Sequence, residues 1–297
     1  MQSFLAVAEA GTVQDAGRRL GLTQSAVSRL VQRLEAEIGA ELFDRSSKPF
    51  RLTRAGENAL VHCRRVLRAI DDFSSEFSAD AAPSGPFRLG LTHAMSSFAA
   101  RAPVEHARRL FPDLSIRLSN DWTGRLVEQV RKGELDAAVI VQGSDQEPTV
   151  DLQARRLHHE KVHIIAPASV DPRSIETLEQ MNEIGWALLP DGCRYRSAIR
   201  RALERSRQPM NIAVEAFDQE LLVLLVARGT ALGLVPMSML VETPFADEVR
   251  VVDCPDFHLD VSFWFVRGRH PGRMSPVMDA VEARIVDILK PKYSKTS

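Results

Sequence analysis

The stretch TVQDAGRRLGLTQSAVSRLVQRL, Thr12–Leu34, constrains this chain more tightly than any other. Two helical apolar patterns meet in it at Gly21-Leu22. In the first, Val13, Ala16, Gly17 and Leu20 recur at three- and four-residue steps, the face of a helix that must pack on something. In the second, Thr23 stands where an N-cap hydroxyl belongs, and Val27, Leu30, Val31 and Leu34 form a stripe expected to be buried. The other face of the second helix carries Gln24, Ser25, Ser28, Arg29 and Gln32, short hydrogen-bonding groups around one long guanidinium. A helix, tight turn and helix with such a second face is how side chains are set against base edges in the major groove. The spacing suits an ordinary pair of surface helices equally well, so the rest of the chain must decide.

Charge tips the balance. The 297 residues carry a net charge of only -1, so a nucleic-acid contact needs its cations gathered locally. Between Thr12 and Arg68 there are eleven Lys and Arg against six Asp and Glu, which leaves +5 there and an acidic remainder. With 44% hydrophobic and 26% charged residues the chain has material for real cores, and its length predicts two or three domains. The three cysteines, Cys63, Cys193 and Cys254, are far apart and form no CxxC pair, as suits a reducing compartment. No apolar run reaches the roughly 18 residues of a membrane span, and the first residues do not resemble a signal peptide. A cytoplasmic protein without membrane contact is the expectation.

Met1–Ala10 reads as a helix ending at Gly11, with Phe4, Leu5, Val7 and Ala8 as its apolar surface. Together with the next two helices it makes a three-helix head. ELFDRSSKPFRLT, Glu41–Thr53, then reads as a small β-hairpin with Arg45, Lys48 and Arg51 at its tip and flank, a basic wing suited to phosphates or a narrow minor groove. Thr53 begins a long helix to about Ala79. Its Leu60, Cys63, Leu67, Ile70, Ser74 and Phe77 alternate steps of three and four, a seam that asks for a copy of itself in a second subunit. On this reading Cys63 is a seam residue.

After the linker AAPSGP, 81–86, strands and helices alternate with short connections, which predicts a mostly parallel, doubly wound sheet. The strands are FRLGL, LSIRL, DAAVIV, KVHIIAP, WALLP, NIAVEAF, GTALGLVP, VRVVDC and VSFWFV. Helices are expected at Ser96–Leu110, Thr123–Lys132, Ile175–Met181, Arg194–Arg205, Asp218–Arg228 and Pro276–Leu289. The fold class is thus α/β behind an all-α head with a wing.

FLAVAEAGTVQDAGRRLGLTQSAVSRLVQRLEAEIGAELFDRSSKPFRLTRAG closely resembles the head of the LysR-type transcriptional regulators. The likeness is carried by Leu22-Thr23-Gln24, Ser28-Arg29, Leu34-Glu35, Gly39, Leu42-Phe43-Asp44-Arg45 and Leu52-Thr53-x-Ala55-Gly56. Further on it is looser, through Phe111-Pro112, Gly133-Glu134-Leu135-Asp136 and Gly229-x-x-x-Gly233-x-x-Pro236. In the family several residues precede the position of Phe4, so the first helix is expected to be short or clipped. The resemblance implies a winged helix-turn-helix over 1–56, a linker and dimerisation helix over 53–82, and a two-lobed, periplasmic-binding-protein-like effector domain over 87–297. Lobe I would be 87–161 with 267–297, and lobe II 162–266. It implies a bacterial regulator that binds and bends double-stranded promoter DNA as a dimer of dimers, with RNA polymerase a possible contact, a small-molecule effector and no cofactor.

The DNA contacts implied are Gln24, Ser25, Ser28, Arg29 and Gln32, with Arg45, Lys48 and Arg51 from the wing. Self-association falls to Leu60, Cys63, Leu67, Ile70 and Phe77. An effector would lie between the lobes, at the C-terminal ends of strands. Thr92, His93, Ser96, Ser97 and Thr123 stand there in lobe I, and Cys193, Phe217 and Asp218 in lobe II. The family uses the position of Val139 as well. Helix N-termini beside hydroxyls favour a small organic anion. Two other classes have less in their favour. An enzyme lacks GxSxG, P-loop, GxGxxG and HExxH signatures, and His158, His159 and His163 have no matching acid or cysteine set. A redox sensor would use Cys193 with Cys254 as resolver, yet only Arg194 and Arg196 are at hand to lower a thiol pKa.

Overall fold

Three short helices, a hairpin and a long helix make up the head in a computed structural model of the chain, which describes residues 1–44, 46–47, 49–76, 82–96, 100–148, 151–171, 174–269 and 271–290. Helix α1 is Gln2–Ala10, α2 Val13–Leu20 and α3 Gln24–Ile38. Thr12 caps α2, its Oγ1 accepting from the Asp15 amide at 3.1 Å and donating to the Asp15 carboxylate at 2.7 Å. Gly21, at φ +65°, turns the chain, and the Thr23 hydroxyl accepts from the Ala26 amide at 3.3 Å to start α3. Phe4, Val7, Ala16, Val27, Val31, Leu42 and Phe43 close the core. Leu30, expected in the buried stripe, is exposed instead. Glu35 takes an inward place: its carboxylate is buried and accepts from the Leu42 amide at 2.9 Å and the Phe43 amide at 3.4 Å.

The wing is a two-stranded ribbon, β1 Phe43–Asp44 against β2 Arg51–Leu52, with Asp44 opposite Arg51. Helix α4, Arg54–Glu76, follows. The Thr53 hydroxyl starts it by accepting from the Gly56 amide at 3.0 Å and donating to the Glu41 carbonyl at 2.7 Å. One expectation needs correcting here. Cys63 is 5% exposed and belongs to the head's own core, with Leu60 packed beside it. The first half of α4 buries its apolar face against α1 and the wing, so these two residues are not a free seam. Leu67 is half-buried, Val66 and Phe73 are exposed, and Ile70 is 48% exposed. Phe77 lies outside the described residues.

The chain forms two compact units, Met1–Ala81 with Lys132–Glu134, and the rest from Ala82 onward. In the second unit the elements are β3 Gly85–Thr92, α5 Arg101–Leu110, β4 Leu114–Asp121, α6 Thr123–Lys132, β5 Ala137–Gly143 and β6 Gln153–Pro167. Then come α7 Leu178–Ile184, β7 Trp186–Leu188, α8 Arg194–Arg205, β8 Ile212–Glu215 and α9 Gln219–Ala227. Finally there are β9 Leu232–Pro236, α10 Met237–Leu240, β10 Val249–Val252, β11 Asp260–Arg267 and α11 Ser275–Leu289. The nine strands join in the order β4-β3-β5-β11-β6-β9-β7-β8, with β10 paired to β6. Two parallel trios, β4-β3-β5 and β9-β7-β8, are the two lobes. Strands β6 and β11 run antiparallel to their neighbours and join the trios, so the sheet is less uniformly parallel than alternation alone implied.

Strand β6 is longer than KVHIIAP. Its first half, rich in Arg and His, pairs with β11 as far as Lys161, and its second half turns to β9 and β10. Strand β11 pairs with β5 along its whole length, so 260–267 lies in the sheet of lobe I and the return crossing falls at Leu259-Asp260 rather than at 266. The helix expected from Ser96 is a 3-10 turn at His93–Met95 followed by α5. Helix α7 begins at Leu178 because Thr177 and Gln180 form a reciprocal capping box there.

Asn182, on α7, pins lobe II. Its Oδ1 accepts from the buried Trp186 indole N–H at 3.1 Å and the Asn211 amide at 2.9 Å, and its Nδ2 donates to the Pro209 carbonyl at 3.0 Å. Asn182→Ala leaves these groups unpaired. Each orphaned buried group costs about 1–3 kcal/mol, so a loss of roughly 2–4 kcal/mol is expected. Calorimetry of the full chain should show the melting temperature of this unit fall by about 5–15 °C.

Candidate nucleic-acid interface and ligand cavity

Helix α3 presents Gln24, Ser25, Arg29 and Gln32 to solvent, with Ser28 half-buried on the same side. The Arg29 Nε donates to the Ser25 carbonyl at 3.4 Å, which holds the side chain along the helix toward its N-terminus. Charge on the neighbouring helices is largely spent. Arg18 pairs with Asp15 at 3.2 Å, Arg19 with Glu9 at 3.5 Å and Arg33 with Glu37 at 3.0 Å. Among the described residues Arg29 meets no carboxylate. On the wing, Arg51 is exposed opposite Asp44, whose carboxyl is held below the usual range by hydrogen bonds from the Ser46 hydroxyl and amide and by the Arg51 charge. Arg45 and Lys48 lie outside the described residues.

The second unit encloses a cavity of about 700 Å³ between its lobes. Thr92 reaches it from the end of β3, Trp122 and Thr123 from the start of α6, and Val141, Gln142 and Gly143 from the end of β5. Lobe II contributes Gly192, Cys193, Arg194, Tyr195 and Ser197 at the start of α8, with Arg201 one turn on. The sequence reading anticipated Thr92, Thr123 and Cys193, and all three line the wall. Thr123 is partly occupied, since its hydroxyl donates to the Val141 carbonyl at 2.9 Å. Val139 does not reach the cavity. It is fully buried in the core of the sheet, two residues short of the strand end, and Val141 takes that place. Asp218 is committed to capping α9, accepting from the Glu220 amide at 2.9 Å and the Leu221 amide at 3.1 Å. The Ser96 hydroxyl donates to the His93 carbonyl at 3.1 Å, and Ser97 lies outside the described residues.

His93 and Phe217 act at the edge of the cavity. Ring centroids of His93 and Trp122 are 4.7 Å apart, and those of His93 and Phe217 5.1 Å, so an aromatic clasp joins the lobes. Burial lowers the His93 pKa, which keeps the ring neutral, with Asp121 opposing. The clasp explains Gly192: a Cβ there would stand 2.7 Å from the Trp122 indole, and its φ of +103° is open only to glycine. A second bridge joins Arg194 to Gln146 and passes over Gly143. Trp122, Gln142, Gln146, Tyr195 and Arg201 escaped the sequence reading, because polar and aromatic residues in a loop or first turn carry no periodic signal. Tyr195 alone had one, its place one residue past the Cys193-Arg194 turn.

The thiol of Cys193 is almost wholly buried, and burial pushes its pKa up despite the Tyr195 and Arg196 amides nearby. Cys63 and Cys254 are buried and raised too, and a raised thiol is a poor sensor. No group of three or more metal-binding side chains occurs among the described residues. His159 meets the Ser262 hydroxyl at 3.2 Å, and burial lowers the His163 pKa.

Residues 1–57 match the bacterial regulatory helix-turn-helix proteins of the lysR family, and residues 80–288 match the LysR substrate binding domain. The chain belongs to the LysR family. It is a DNA-binding transcriptional regulator with an effector-binding domain, and its curated relatives are regulators rather than enzymes. One of these, the HTH-type transcriptional regulator YofA of Bacillus subtilis, is 26% identical over 271 residues, covering 90% of each chain. Full-length OxyR of Pseudomonas aeruginosa superposes with a TM-score of 0.76 at 20% identity, covering 96% of this chain and 92% of that one. LysG of Corynebacterium glutamicum, solved with the effector arginine bound, gives 0.66 at 19% identity and covers 96% of each. No helix among the described residues is long and apolar enough to cross a membrane.

Proposed function

We propose that α3 of this regulator enters the major groove, with Arg29 and Gln32 reaching base edges and Gln24, Ser25 and Ser28 meeting bases and phosphates near the helix N-terminus. Arg51 would hold the wing on the backbone, with Arg45 and Lys48 assigned there on sequence alone. The observation that carries the reading is the exposed guanidinium of Arg29 without a carboxylate, between helices whose other cations are paired. Fluorescence anisotropy on promoter fragments tests it: operator DNA should be bound in preference to random DNA at moderate salt, and equal affinity for both would refute it.

The outer half of α4 is the self-association face, through Leu67 and Ile70, with Val66 and Phe73 exposed beside them and Phe77 included from the sequence. A dimer through this helix and a tetramer built from two of them suit operators with half-sites about one helical turn apart. Ile70→Glu is expected to shift the dimer to monomer in analytical ultracentrifugation at micromolar protein. An unchanged sedimentation coefficient would move the interface elsewhere. The regulator would work in the cytoplasm, where promoter DNA and RNA polymerase are, and the polymerase contact is the least supported of these assignments.

The cavity between the lobes is the effector site, and a small organic anion is its ligand class. Arg194 and Arg201 on its wall, beside hydroxyls at the start of α8, support that reading. LysG, with arginine bound, is a relative in which the effector is a small molecule. Closing of the lobes across the aromatic clasp would then bias the DNA-binding form, as any ligand with unequal affinity for two states must.

A further inference from the structure

We infer that the ligand of this cavity is a hydroxylated carboxylate, an acid carrying alcohol groups along a chain of about three to six carbons. This rests on the cavity being the effector site. Three atoms carry the inference: Thr92 Oγ1, Gln142 Oε1 and the Tyr195 hydroxyl are buried without a hydrogen-bond partner, and all three residues line this one cavity. Thr92 is 5% exposed and Tyr195 2%, so solvent does not satisfy them. Thr92 and Gln142 belong to lobe I and Tyr195 to lobe II, so one ligand between the lobes meets both sets. Buried polar groups are nearly always paired, and three orphans on one wall mark where ligand atoms go.

Their chemistry narrows the class. The Tyr195 hydroxyl stays protonated, because burial holds its pKa well above 10, and Thr92 donates or accepts. The amide oxygen of Gln142 only accepts and calls for an O–H or N–H. An alcohol, which both donates and accepts, answers all three and answers the amide in either orientation. A plain fatty acid would leave them orphaned. A site built to bond a hydroxyl rejects the analogue lacking it.

The charge on the wall places the carboxylate. Arg201 is exposed and meets no acid among the described residues, and Arg194, desolvated in the wall, is further destabilised by the Arg201 charge. A carboxylate between two guanidinium groups relieves that repulsion. The acids of the wall, Asp145 and Asp260, are both exposed at the mouth, and none of its buried residues is a carboxylate. An ammonium group carried to the deep end would go uncompensated, which argues against an amino acid.

Calorimetric titration and thermal shift of the full chain test this with gluconate, glycerate, hexanoate, glutamate and glucose. Gluconate or glycerate should bind at least tenfold more tightly than hexanoate, glutamate or glucose. Thr92→Val and Tyr195→Phe each remove one hydroxyl at nearly constant volume. Both should weaken the hydroxy acid tenfold or more and leave hexanoate unchanged. Preference for hexanoate or glutamate would overturn the class while the effector site stood. Full affinity for the hydroxy acid in both variants would overturn it too, as would no heat and no shift with either hydroxy acid. Hydroxyl-dependent binding with operator affinity unmoved at saturation would uphold the ligand class and remove the regulatory reading instead.

Discussion

Arg29→Ala is expected to weaken operator binding by roughly 1–3 kcal/mol, about 5- to 150-fold in Kd, while the circular dichroism spectrum and melting curve stay as they are. The fold does not depend on this side chain, since its one intramolecular bond is to the Ser25 carbonyl and it is exposed. A bidentate guanidinium on guanine gives discrimination, and on phosphate it gives affinity without sequence preference. The two outcomes separate in anisotropy titrations. Loss confined to the operator marks a base contact. Loss shared with random DNA, together with a salt slope smaller by about one, marks a phosphate contact. Arg33→Ala is the control, since Arg33 is on the same helix but paired with Glu37, and exposed pairs of this kind contribute little. Operator affinity unchanged in Arg29→Ala would take α3 out of the groove.

Gly56→Ala should destabilise the head, although the general rule points the other way. A buried helical glycine replaced by alanine ordinarily gains about 0.5–1 kcal/mol from reduced backbone entropy. At Gly56 an added Cβ would stand 2.0 Å from the Leu42 carbonyl oxygen and 3.0 Å from Leu52 Cδ2, so α4 must lift off the strand that precedes the wing. Overpacking of this kind costs about 1–3 kcal/mol, and the obstacle here is backbone, which cannot rotate away. Lifting α4 also strains the Thr53 cap and moves Cys63 out of the core. The expected results are a melting temperature lower by about 5 °C or more for the head and weaker DNA binding with it. Gly124→Ala, in the first turn of α6 with nothing within 4 Å, should be neutral or slightly stabilising. Equal melting temperatures for Gly56→Ala and the unaltered chain would show that the head has slack at this contact.

The head was more legible than the cavity for a physical reason. Caps and turns are local: Thr12, Gly21 and Thr23 act within four residues of themselves, and each does in the structure what its place in the chain implied. Val27 and Val31 were legible as core because helical periodicity reports one face. Leu30 was not, because a stripe's edge is set by how far the neighbouring helix extends. Cys63 shows the same limit. Its spacing suited a seam between subunits, yet the partner it found was its own head. In the second unit Thr92 and Thr123 were legible as strand-end and helix-start hydroxyls, whereas Val139 was placed by resemblance and proved to face the core.

By itself the sequence determined the order of elements, the helix boundaries with capping residues, the location of positive charge and the family. These depend on periodicity and on interactions spanning a few residues. Only the tertiary structure decided that β6 and β11 cross between the lobes, that Glu35 and Asn182 are spent on backbone and indole partners, and that Thr92, Gln142 and Tyr195 meet in one cavity. Those outcomes bring together groups up to a hundred residues apart. Which strand pairs with which, and which polar group is left without a partner, are settled by packing the whole sheet.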